Sequence, residues 1–69
     1  MILVFKTNIN NYRQTKSITK VLNGNSKIEF WNFDLEDIDK ILRIVTQFEI
    51  QNEIIEMMRK HNLHCEELF

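Results

Sequence analysis

The sequence predicts an α+β domain whose elements run strand, helix, strand, strand, helix and a short final strand. Three observations carry this reading. Apolar residues recur at helical spacing twice, as Ile18, Val21 and Leu22 and as Ile54, Ile55 and Met58. Runs rich in β-branched and aromatic side chains fill residues 2–6, 27–34 and 40–46. Asparagine and glycine then stop both helical stripes, at Asn23-Gly24-Asn25 and at Asn62.

Taken in order, residues 2–6 read as a central strand because they are apolar on both faces. A polar loop follows over residues 7–11, in which Asn10 or Asn11 is placed to cap the first helix by accepting a backbone N–H. The helix is expected to end where Gly24 and its flanking asparagines permit a left-handed turn. In residues 27–34, Ile28 and Phe30 flank Glu29, whereas Trp31 and Phe33 flank Asn32. That change of phase predicts a bulge near Phe30. Acidic residues 35–39 form a turn, and residues 40–46, with Ile41, Leu42, Ile44 and Val45, return as the hairpin partner. Residues 51–61 are helical by period, with Glu56 and Lys60 as an i,i+4 pair and Asn62 and Leu63 as its stop. Residues 64–69 are a last short strand or ordered tail.

Two helices after the first and third strands, joined through a hairpin, give the ferredoxin-like sandwich, an antiparallel sheet with both helices on one face. The other face is expected to stay open. Phe5, Trp31 and Phe33 are the aromatics expected to reach it, and clustered there they would mark a surface for a protein partner or for self-association.

Size and charge narrow the function classes. The 69 residues allow one domain, 1–69, near the length below which a chain needs a disulfide, metal or partner to fold. A core of this size supplies about 3–5 kcal/mol, so a homo-oligomer is possible. The hydrophobic fraction of 43%, with five Phe and one Trp, is that of a folded chain. Nine basic and ten acidic residues leave a net charge of −1, without the basic stripe that nucleic acid demands. Stacking of bases on Phe5, Trp31 or Phe33 therefore lacks its electrostatic surround. The opening residues 1–5 have no basic flank and meet Lys6, so neither a signal peptide nor a membrane span is predicted. The single cysteine, Cys65, fits a reducing compartment and hence a cytoplasmic location.

The run Trp31-Asn32-Phe33-Asp34-Leu35-Glu36, its acidic turn, Leu42-Arg43-Ile44 and the helix Glu53-Ile54-Ile55-Glu56-Met57-Met58 resemble heavy-metal-associated domains. In that family a Met-x-Cys-x-x-Cys loop after the first strand holds soft ions such as Cu(I) through two thiolates. Aligning the first helix by Ile18 and Leu22 sets Ile9 at the methionine, Asn11 at the first cysteine and Gln14 at the second. An amide oxygen is no substitute for thiolate toward a thiophilic metal. The resemblance thus implies the fold and a docking surface, with no cofactor and no metal-carrier activity at Asn11 and Gln14.

Other chemistries are thinly supplied. His61, His64 and Cys65, spaced H-x-x-H-C, are the only imidazole and thiol cluster and the alternative site for zinc or copper, with Glu66, water or a second subunit completing the set. Set against this, a free cysteine is commonly a small core hydrophobe. Glu36, Asp37 and Asp39 lack the twelve-residue glycine-containing frame of a calcium loop and read as a solvated turn. Enzyme activity is not expected: one glycine cannot build a phosphate loop, and His64 and Cys65, adjacent on a strand, point to opposite faces. The expectation is a non-catalytic protein-interaction module, with metal binding and small-molecule sensing at a dimer interface as alternatives.

Overall fold

The computed structural model describes residues 1–68 and contains the expected order. Strand β1 (Ile2–Thr7) leads through a short 3₁₀ turn (Tyr12–Thr15) into helix α1 (Lys16–Gly24). Strands β2 (Ile28–Asp34) and β3 (Ile41–Thr46), helix α2 (Gln51–Lys60) and strand β4 (Cys65–Glu67) follow. The sheet is antiparallel in the order β2-β3-β1-β4, so β1 is an inner strand as expected, although only its Leu3, Phe5 and Thr7 face is buried.

Register decides which side chains meet. Leu3 opposes Ile44 and Phe5 opposes Leu42, while Trp31 and Phe33 oppose the same Ile44 and Leu42 from the other side. Opposed residues share a face, so all six lie on one side of the sheet. Ile18 and Leu22 of α1 and Ile54 and Met58 of α2 close onto that side, forming one core with Ile9, Leu35 and Ile50. Among the described residues no buried side-chain nitrogen or oxygen lacks a hydrogen-bond partner. Fully buried Thr46 shows how: its hydroxyl donates to the Lys27 carbonyl at 2.6 Å and accepts from the Phe48 N–H at 3.1 Å.

The expected bulge lies between Ile28 and Phe30. Helix α2 ends as predicted: Asn62 is left-handed (φ 61), its N–H donates to the Arg59 carbonyl, and the Leu63 N–H donates back to Met58. Two local expectations are corrected. Helix α1 ends without a left-handed residue, because Asn25 leaves in an extended conformation and its side chain accepts from the Lys27 N–H at 2.9 Å. Glu56 pairs with Arg59 one turn on rather than with Lys60. No described helix is long and apolar enough to cross a membrane.

Candidate functional site

The loop between β1 and α1 is the position at which the resemblance implies metal ligands. It is built from both ends. Ile9 is fully buried and anchors the loop in the core, its N–H donating to the Thr7 hydroxyl at 3.2 Å, while that hydroxyl donates to the Lys40 carbonyl at 2.6 Å. Beyond Ile9 the chain surfaces, and Asn11 and Gln14 are both exposed. They close on each other. The Asn11 carboxamide oxygen accepts the Gln14 N–H at 3.3 Å, and the Gln14 side-chain oxygen accepts the N–H groups of Asn10 at 2.7 Å and Asn11 at 3.3 Å. This is a capping box, in which two side chains satisfy the backbone donors left open at a helix start. Both carboxamide oxygens are thereby committed to the protein's own backbone. The donor set at these positions is hard oxygen and does not fit a thiophilic ion.

The second candidate set is split by the sheet. Cys65 opposes Thr7 on the helix-covered face and is 7% exposed, and burial pushes its thiol from an ordinary 9.0 up to about 12. His64 is exposed, with its N–H held by the Asn8 side chain at 2.9 Å and Nε2 at 3.5 Å from a Glu66 carboxylate oxygen. His61 is half-buried at the end of α2. Among the described residues no three His, Cys, Asp or Glu side chains are grouped to hold a metal ion. The acidic turn is occupied by its own backbone: the Asp37 carboxylate accepts the Asp39 N–H at 2.9 Å, and Lys40, left-handed at φ 52, donates its ammonium to the Leu35 carbonyl at 3.0 Å.

The expected aromatic surface is rearranged. Phe5 has no exposed area and belongs to the core, because its register with Leu42 turns it under the helices. Trp31 and Phe33 share that face, partly buried in an edge-to-face pair with ring centroids 5.8 Å apart. The Trp31 indole N–H donates to Asn23 of α1 at 2.8 Å. The aromatic on the open face is Phe30, 61% exposed and in line with Val45 and Ile2. Val4 and Arg43 form the next row of that face. The sequence did hold the signal for Phe30. Pairing Trp31 and Phe33 with the apolar positions of β3 forces Phe30 outward across the bulge.

Fold and loop together define an α+β ferredoxin-like domain with no cysteine in the loop between β1 and α1. Among solved structures, the chain is similar to the solution structure of the yeast copper transporter domain Ccc2A, in its apo and Cu(I)-loaded states. The TM-score is 0.79 over 99% of this chain and 94% of that one, at 14% sequence identity. At that identity the similarity is one of fold. No protein-family model matches the sequence, and neither does any curated protein.

Proposed function

We propose that this domain is a non-catalytic protein-binding module that keeps a metal-carrier fold and works through its surfaces. The observation that carries the reading is the capping box. The two loop positions that the resemblance assigns to thiolates carry amides, and both amides are consumed in closing the loop on its own backbone. The single thiol is withdrawn as well, since Cys65 is buried and its thiol stays protonated at neutral pH. The apolar row of Ile2, Val45 and Phe30 on the uncovered sheet face supports the binding role.

Titration with Zn(II), and with Cu(I) under reducing conditions, tests it through the NMR signals of the Asn11 to Gln14 loop and of His61, His64 and Cys65. The expected spectrum is unchanged apart from weak shifts at exposed His64. Saturating one-to-one shifts at the loop, or at His61, His64 and Cys65 together, would restore the metal-binding reading.

A further inference from the structure

The two edges of the sheet are unequal. β4 is three residues long and two of them are glutamates, a combination that discourages pairing with another strand. β2 is seven residues long, holds no proline, and confines its bulge to the first half. Its free hydrogen-bonding groups follow from the ladder. Met1 and Thr46 exchange both backbone bonds, at 2.8 and 3.0 Å. Alternation along the antiparallel ladder then turns Leu42 and Ile44 toward β1, and Ile41, Arg43 and Val45 toward β2. Their partners Asp34, Asn32 and Phe30 therefore face inward, and the N–H and C=O groups of Trp31 and Phe33 point out of the sheet.

Beside this edge, between β2 and the end of α1, lies a groove of about 350 Å³ lined by Leu22, Asn23, Ile28, Glu29, Phe30 and Trp31. Glu29 stands at its rim, exposed, and pairs with no cation among the described residues, whereas neighbouring Lys27 is paired with Glu53 at 3.4 Å. The outward backbone pairs, the groove with its mixed apolar and polar lining, and the free carboxylate specify one kind of occupant.

We infer that the β2 edge and the α1–β2 groove bind an extended segment of a partner protein, which adds as a fifth strand. The segment hydrogen-bonds Trp31 and Phe33, places an aliphatic or aromatic side chain against Leu22, Ile28 and Trp31, and brings a basic residue to Glu29. Main-chain bonds supply the affinity, and the groove and Glu29 the choice of sequence. The inference rests on the protein-binding reading and names its partner class.

The test uses an array of short synthetic extended peptides that vary in the groove-facing side chain and in a flanking arginine or glutamate. Binding is mapped by amide NMR shifts on the full chain. Peptides with an apolar residue and arginine should shift Trp31, Phe33 and the groove. Chemical synthesis of the chain with an N-methyl group on the Phe33 amide keeps every intrachain ladder bond, and should weaken binding about tenfold. Glu29→Lys, at an exposed position, should weaken the arginine peptides by about fivefold and favour the glutamate peptides. The inference is overturned if no peptide binds, if shifts fall only on Ile2, Val45 and Phe30, or if neither change alters affinity. It is also overturned if Trp31 and Phe33 amides are already protected in a dimer of the free chain. Shifts confined to the open face would leave the protein-binding reading standing, whereas a saturating metal titration would remove that reading as well.

Discussion

Asn11 and Gln14 satisfy backbone donors at the two positions to which the family resemblance assigns sulfur. If the box organises the loop, Asn11→Ala should cost about 0.5–2 kcal/mol in urea unfolding, the usual range for a lost N-cap. Asn11→Ser, which also caps, should recover most of it. Cys65 gives a pH-dependent outcome. Its thiol is raised from 9.0 to about 12 by burial, so between those values the unfolded chain loses a proton that the folded chain keeps. Stability from this group is complete below pH 9.0 and falls toward pH 12, at about 1.4 kcal/mol per pH unit. The difference between the wild type and Cys65→Ala in alkaline unfolding isolates it. The need for a cap at Asn10 or Asn11 could be read in the sequence. The reciprocal answer from Gln14 could not, because it depends on the 3₁₀ turn that brings the two side chains together.

At the level of elements, the boundaries were legible where one residue type leaves one option. Asn62 had to stop α2 in the left-handed region, and the bulge of β2 was visible as a phase change between Glu29 and Asn32. Facing was harder. A strand apolar on both sides, such as β1, does not say which of its residues goes under the helices, and Phe5 was expected at the surface for that reason. Only the pairing of Phe5 with Leu42 and of Leu42 with Phe33 settles it. The contrast is measurable. Phe5→Ala should cost about 3–5 kcal/mol, enough to unfold a domain of this size, while Phe30→Ser should stay within about 0.5 kcal/mol. Thermal unfolding followed by circular dichroism reads both, and equal costs would contradict the assigned faces.

Across the whole molecule, the fold and the chemistry are set by different residues. The core of β1, β3 and the two helices, centred on Phe5, Leu42, Ile44 and Met58, needs only apolar side chains of suitable volume in the right register. This is why a ferredoxin-like order was readable from periodicity alone, and why it coincides with a copper-transporter domain at 14% identity. The proposed binding surface lies instead at the exposed edge, where no packing constraint selects the residue type. The amides at residues 11 and 14 are legible in the sequence, whereas the outward-facing groups of the β2 edge follow only from sheet register.

The central claim is that a chain sharing the fold of a copper transporter domain has its β1–α1 loop closed by amides rather than open to a metal. Competition for Cu(I) against a chelator of known affinity tests this directly, comparing the wild type with the double substitution Asn11→Cys and Gln14→Cys under reducing conditions. The wild type is predicted to leave the chelator's Cu(I) complex intact, and the double variant to withdraw one Cu(I) per chain, because the loop already brings positions 11 and 14 together. Withdrawal of Cu(I) by the wild type with comparable affinity would contradict the account.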